Sequence, residues 1–327
     1  MIGSPYIGPW RPLFAGIDGI EHAVGYCLTA FASGAQREQR VNLIRLDLAS
    51  GLSFYTTPAG GQMHTLTNTI TGYLADPATR AAGVTLAINA AFGWVSEPDK
   101  PAAQDACLFG LAISQGQVVC DPTVPAPAPG ATQPDVPDAG HAGAVSLVID
   151  ADNNASFEII TAKTPGRPWT TIQTAVSGGP NPPPGWPPQT VYRGLQPGAL
   201  LVLEAGRNNG LPMGPGQEIA SRTAVGLSQD GKTMYWLTID GLEQADPPFG
   251  ATFHDVGVWM SLVGAYNAIT LDGGGSTALA MINEHEQPIV INNPHGTERG
   301  PYVQRWCPQF LGVVPPAPKC SARREVG

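Results

Sequence analysis

The sequence predicts an α+β protein, a mostly antiparallel sheet of hairpins with a few helices packed on it and long proline-rich loops edging a cleft. Three observations lead there. Short runs that alternate apolar and polar residues recur with turn signals between them, as strands with a buried face require. Helical spacing is confined to two segments. Proline gathers in two stretches, "CDPTVPAPAPGATQPDVPDAG" from Cys120 to Gly140 and "GGPNPPPGWPPQTVYRGLQPG" from Gly178 to Gly198. Because proline fixes φ and donates no amide, neither stretch can be a central strand or a helix interior, and both read as stiff surface loops.

The elements follow in order. "VNLIRLDLASGLSFYTT" alternates and turns at Ser50-Gly51. "TLTNTITGYLADPATRAAG", from Thr65 to Gly83, reads as helical pieces broken at Pro77. "FGLAISQGQVVC" and "AVSLVIDADNNASFEII" each contain a hairpin break, at Gln115-Gly116 and Asn153-Asn154. "RTAVGLSQDGKTMYWLTIDG" is the clearest hairpin, with Asp230-Gly231 predicting a type I′ turn. Alternation there puts Met234, Trp236, Thr238 and Asp240 on one face of the second strand. "TFHDVGVWMSLVGAYNA" is a helix with Thr252 as N-cap and Asp255 at N3. Trp236 and Trp259 are expected in the core, while Trp94, Trp186 and Trp306 suit stacking on sugar faces.

Composition narrows the function. The 327 residues are 43% hydrophobic and 13% charged, a globular balance with ample core material. Net charge is −9 and no basic patch appears, which argues against nucleic acid as a partner. No apolar run reaches the ~18 residues of a membrane span. The opening "MIGSPYIGPWRPLF" lacks the basic and apolar regions of a signal peptide. Cys27, Cys107, Cys120, Cys307 and Cys320 form no CxxC pair, so a zinc site is not expected. Two local disulfides, Cys107 with Cys120 and Cys307 with Cys320, suit an exported protein; buried free thiols fit the sequence equally well.

The segment "ITLDGGGSTALAM", Ile269 to Met281, poses the functional question. The run up to Leu271 should be a strand, with Asp272 at its end. Gly273, Gly274 and Gly275 make a turn, and Ser276 or Thr277 is expected to start a helix. Such a turn would present free amides and a helix dipole to an anion such as phosphate. A purely structural turn is the competing reading. In "SRTAVGLSQDGKTMYWLTIDG", Arg222 and Asp240 fall at one end of a hairpin, as a cation and an acid facing one cleft or as an edge salt bridge.

Several segments in order resemble the phosphodiester glycosidase family, whose bacterial members are described as exopolysaccharide-related. They are "LAINAAFG" (86–93), "GLAISQGQVV" (110–119), "TAVSGGP" (174–180), "ALLVLEAG" (199–206), "SRTAVGLSQDGKTMYWLTIDG" (221–241), "GAYNAITLDGGGSTALAM" (264–281) and "ERGPYVQRWCPQFLGV" (298–313). The first departs from the family pattern, with Ala90, Ala91, Phe92 and Gly93 where paired glycines and phenylalanines are usual. "NNPHGTERG" falls in a variable part of the pattern.

The resemblance implies a catalytic domain over 41–314, with a lead-in at 1–40 and a tail at 315–327. It implies hydrolysis of the anomeric C–O bond of a sugar-1-phosphodiester, releasing free sugar and leaving a phosphomonoester. Ordinary glycosidic bonds, or non-catalytic carbohydrate binding, are the alternatives. Phosphate needs little protonation to leave, so cations and amides should take its charge while carboxylates serve the anomeric carbon. Asp240, Asp272 and Glu298 are the catalytic candidates. Asn89, Arg222, Gly273, Gly274, Gly275, Ser276, Thr277, His295 and Arg299 are the substrate-binding ones. No cofactor is required, although a divalent metal at Asp240 or Asp272 stays compatible. The expected partner is a carbohydrate or sugar phosphate, and the expected location is extracytoplasmic or secreted.

Overall fold

The structure is a computed structural model that describes residues 4–30, 36–95, 101–108, 110–121, 144–160, 169–178, 201–210, 219–242, 249–295 and 302–316. In chain order the strands begin with β1 (Tyr6–Ile7), β2 (Arg11–Pro12), β3 (Ile20–Ala30), β4 (Gln36–Asp47), β5 (Ser53–Thr56) and β6 (Thr65–Leu66). Helices α1 (Ile70–Ala75) and α2 (Pro77–Ala81) follow, then β7 (Leu86–Asn89), β8 (Gly93–Val95), β9 (Asp105–Leu108), β10 (Ala112–Ser114) and β11 (Gln117–Cys120). Next come β12 (Ala144–Asp150), β13 (Ala155–Ile160), β14 (Ile172–Ser177), β15 (Leu201–Glu204), β16 (Arg207–Asn208), β17 (Arg222–Leu227) and β18 (Thr233–Ile239). The chain continues with α3 (Phe253–Val263), β19 (Asn267–Thr270), β20 (Leu279–Ile282), β21 (Pro288–Val290) and β22 (Phe310–Val314).

The main sheet runs β1-β3-β4-β18-β17-β19-β15-β16, with β2 paired on β3. Two five-stranded sheets, β11-β10-β14-β12-β13 and β21-β20-β7-β22-β5, and a three-stranded one, β6-β9-β8, complete the fold. All these strand pairs are antiparallel, as the alternating runs predicted. Residues 6–30, read from sequence as part of a lead-in, supply three strands of the main sheet.

β18 is central, and Met234 through Ile239 are all buried, so alternation there separates two covered faces rather than core from solvent. One face meets α3. Gly25 lies where a Cβ would come within 2.8 Å of the Trp259 ring, so a larger residue would push the helix away. Trp259 donates Nε1–H to Gln39 Oε1 at 2.7 Å and is 1% exposed. The other face belongs to a core that also takes in Leu86, Ile88 and Leu311 of the β7 sheet and Leu147 of the β12 sheet.

α3 starts as predicted. Thr252 accepts from the Asp255 amide, and Asp255 reciprocates to the Thr252 amide. Asp255 also holds the buried Arg37 at 2.8 Å, tying helix to β4. α1 and α2 break at Pro77, with Asp76 capping the second helix. Gln115 and Gly116 both take positive φ, 50° and 74°, as a type I′ turn needs. The turn at Asp230-Gly231 differs from the predicted type. Only Gly231 has positive φ, and its amide returns to the Ser228 carbonyl at 3.0 Å. Asp230 accepts instead from Ser228 Oγ and the Lys232 amide, which holds it in an ordinary right-handed turn conformation.

"STALAM" corrects a larger expectation. Gly274–Ser276 form one 3-10 turn, and the chain then enters β20, not a helix. Leu279 pairs with Ile88 and Met281 with Leu86. The burial of Leu279 and Ala280 between β7 and β21 outweighs the helix preference of Ala, Leu and Met.

Cys27, Cys107, Cys120 and Cys307 are buried and form no disulfide among the described residues, so the Cys107–Cys120 bridge is absent and buried thiols stand in its place. Both of those thiols lean instead on the Leu108 carbonyl. Cys320 lies outside the described residues.

Candidate active site

Asp240 and Asp272 leave the same end of the main sheet. β18 ends at Ile239 and β19 at Thr270, and β17 runs between them in the opposite direction. Two strand spacings put the two backbones about 10 Å apart.

Asp240 is 6% exposed. Its Oδ1 accepts from Asn292 Nδ2 at 3.2 Å and from the Asn293 amide at 3.0 Å. Burial outweighs these two bonds and the attraction of Arg40, and lifts its pKa to about 6. Asp272 reaches about 6 as well. Desolvation of its carboxyl prevails over a bond from Ser276, the nearby Arg305 charge and the Gly273 amide. Its backbone is fixed by its own amide on the Ala90 carbonyl and by Asn89 Nδ2 on its carbonyl at 2.7 Å.

One hydrogen-bond network runs from the main-chain carbonyl of Asp272 to the carboxyl of Asp240. Asn89 Oδ1 accepts from Thr223 Oγ1 at 2.8 Å and from the Ala278 amide at 3.0 Å. Thr223 Oγ1 also lies 3.3 Å from Thr277 Oγ1. The Thr277 carbonyl accepts from Asn292 Nδ2, which returns the path to Asp240. Asn89, a substrate-binding candidate from sequence with a structural amide as the competing reading, is fully buried and its side chain ties the strand ends together.

The glycine turn is less bare than the sequence suggested. The Gly274 amide donates to the Ser221 carbonyl, Ser276 to Gly273 and Thr277 to Gly274. The Gly273 amide is spent on the Asp272 carboxyl. Among the described residues the Gly275 amide is the one member of the row without an acceptor, and so the one left to meet an anion. Gly274 takes φ of 56°, and a Cβ on Gly273 would lie 3.0 Å from the Ser221 carbonyl oxygen, so the triplet serves close backbone packing.

Arg222 approaches this turn from the helix side. It is level with Ile239, its Nε donates to the Ala251 carbonyl at 3.0 Å, and its guanidinium lies 4.2 Å over the Phe253 ring. Alternation places Asp240 on the opposite face, so these two share a sheet end without sharing a face. Arg305 is the guanidinium whose charge lowers the Asp272 pKa. Its Nη1 donates to Ser276 Oγ at 3.3 Å, while its Nε is buried without a partner.

His295 follows this network at 7% exposure, edge-on to Phe249 with ring centroids 5.5 Å apart. Neither of its nitrogens has a partner, and burial lowers its pKa, so it is uncharged near neutrality. Glu298, Arg299 and Trp186 lie outside the described residues, as does the Trp94 side chain. Among the described residues no group of three His, Cys, Asp or Glu side chains could hold a metal ion. No described helix is long and apolar enough to cross a membrane.

Arg305, Asn292, Asn293, Thr223 and Arg40 were not singled out from sequence. Arg305 stood inside the motif "ERGPYVQRWCPQFLGV", just before a buried run, and Asn292-Asn293 opened "NNPHGTERG". Nothing local marks Arg40, which reaches Asp240 only through the pairing of β4 with β18.

Asp240, buried, and Asp272, half-buried, both have raised pKa and stand at one end of an antiparallel sheet; paired carboxyls of shifted pKa are a pattern that glycosidases use. The phosphodiester glycosidase family profile matches residues 129–314, more than half of the chain. The chain belongs to that family, and membership implies a glycosidase hydrolase acting on phosphodiester-linked sugars. No curated protein sequence matches it. The fold is similar to the zebrafish N-acetylglucosamine-1-phosphodiester α-N-acetylglucosaminidase catalytic domain, solved auto-inhibited by its pro-peptide. That likeness has a TM-score of 0.60 at 14% identity and covers 95% of this chain and 88% of that one. A Burkholderia pseudomallei protein described as exported is similar at TM-score 0.52 and 14% identity, over 85% of this chain and 74% of that one. At such identities the likeness concerns the fold.

Proposed function

We propose that the protein hydrolyses a sugar-1-phosphodiester at the anomeric C–O bond, releasing free sugar and leaving a phosphomonoester. The observation that carries this reading is the pair of carboxyls at about 6 at one end of the sheet, with the Asp240 carboxyl tied to the Asp272 backbone through Asn292, Thr277, Thr223 and Asn89, and Arg305 beside the Asp272 carboxyl. In this reading Asp272 is the nucleophile or stabiliser at the anomeric carbon, kept charged by Arg305 and Ser276. Asp240, held by uncharged amide donors, takes the proton of the attacking water. The departing phosphate needs a positive contact more than a proton, and Arg305 is placed to provide it. Glu298, Arg299 and His295 stay as further contacts in the proposal. The zebrafish enzyme of similar fold is named for this bond type.

The spent amides of Gly273, Gly274, Ser276 and Thr277 favour one alternative, hydrolysis of ordinary glycosidic bonds, because an amide floor for phosphate is then missing. One assay separates the two: N-acetylglucosamine-1-phosphate methyl diester against a matched aryl glycoside, with release of free sugar measured. Turnover of the diester is expected. Turnover of the neutral glycoside alone would reject the phosphodiester reading. An extracytoplasmic location belongs to the same proposal, in keeping with the exported neighbour of similar fold.

A further inference from the structure

Tyr6 of β1 sits directly across from Tyr26 of β3, and Tyr26 directly across from Arg40 of β4. Arg40 is in turn level with Asp240, whose amide donates to the Arg40 carbonyl at 2.9 Å, one step beyond the Val41–Ile239 pair. Residues directly opposite on neighbouring strands share a sheet face. Tyr6, Tyr26, Arg40 and Asp240 therefore form one row across four strands. Glu38 is the main cause of the raised Arg40 pKa, and Asp240 and Tyr26 add smaller contributions.

The row grades from buried acid to open aromatic surface. Asp240 is 6% exposed, Tyr26 41% and Tyr6 63%. Val24, two residues before Tyr26 on the same face, is 56% exposed. α3 covers the other face of β3, where Gly25 meets Trp259, so the helix does not shield the tyrosines. Arg40 is held at the surface by Glu38 at 2.7 Å. Beyond Val24 the surface continues into a groove of about 390 Å³, lined by Pro9, Arg11, Pro12, Leu13 and His22.

We infer that Tyr26 and Tyr6 form a stacking platform for the sugar rings of a longer, phosphate-bearing glycan that runs along this row to Asp240. This rests on the glycosidase reading above. Strand spacing puts Tyr26 about 10 Å and Tyr6 about 14 Å from Asp240, a step comparable to that between rings of an extended glycan. A partly exposed tyrosine offers the apolar ring face and polar edge that a sugar needs, at little entropy cost. Arg40 lies where a phosphate linking two such sugars would pass. Continuity with a candidate catalytic acid favours substrate over a second protein copy as the occupant.

The test compares a short substrate, N-acetylglucosamine-1-phosphate methyl diester, with poly(N-acetylglucosamine 1-phosphate), using the full chain and the double variant Tyr6→Ala, Tyr26→Ala. The ratio of polymer to short-diester kcat/KM should fall about tenfold, as loss of two stacking contacts implies. Tyr6→Trp with Tyr26→Trp should restore it. Retardation of the protein in a gel containing the polymer reads binding without turnover. If no diester is cleaved but the variant loses retardation, the catalytic reading fails and the platform stands. An unchanged ratio together with unchanged retardation overturns the platform. So does a dimer of the parent that becomes monomeric in the variant while both glycan readouts stay constant.

Discussion

Asp240 and Asp272 arrive at the same pKa, about 6, through different surroundings. Asp240 is held by two asparagine donors on one oxygen, with Arg40 near but largely in solvent. Asp272 has a hydroxyl, one amide and a half-buried guanidinium around it. Burial sets the size of both shifts. The partners set what each acid can do, because a neutral cradle tolerates gain of a proton better than a cationic one does.

The largest effects should come from removing either charge. Asp272→Asn and Asp240→Asn are each expected to lower kcat on a sugar-1-phosphodiester by about 100-fold or more. Circular dichroism should show the fold retained. Near-parent turnover in one variant would leave only the other acid in the mechanism.

A smaller but more selective effect is expected at Arg305. Arg305→Met should cost about tenfold in kcat, with Arg305→Lys recovering part of it. Arg305 lowers the Asp272 pKa, so its loss should also move the acid limb of the pH–rate profile upward. Asn292→Ala should move the limb belonging to Asp240 in the same direction, because Asn292 lowers that pKa. Measured profiles in which both variants move one shared limb equally would show that the acids titrate as a unit.

The mildest effect concerns stability. The folded pKa of Asp240, about 6, exceeds the unfolded value of about 4, so the folded state binds the proton more tightly. Stability on this account is greatest below about pH 4, falls as pH rises to about 6, and is level above that. Asp240→Asn keeps an acceptor for Asn292 and Asn293 and carries no charge. Its Tm should exceed the parent's by about 2–4 °C at pH 7.5 and match it at pH 4. An equal offset at both values would mean that ionisation of Asp240 is not the cause.

What the sequence showed depended on how local the cause was. The α3 capping box, the break at Pro77 and the Gln115-Gly116 turn depend on residues within a few positions of one another, and each was readable. β20 was misread because its conformation is imposed by β7, nearly two hundred positions earlier. Arg222 and Asp240 were rightly placed at one sheet end. Pairing register, which sets the face, puts Arg222 level with Ile239 and sends it towards Phe253. Arg305 and Arg40 were passed over for the same reason, since their importance comes from neighbours that only the fold supplies.

The buried carboxamide of Asn89 makes one donation and accepts two hydrogen bonds across three separate strand ends. Such a crossing tie leaves the gap between the acids nowhere to drift when surrounding loops lengthen, shorten or change composition. Descendants of this chain could therefore trade one sugar for another at the rim, while the spacing that governs stereochemical outcome would be inherited unaltered.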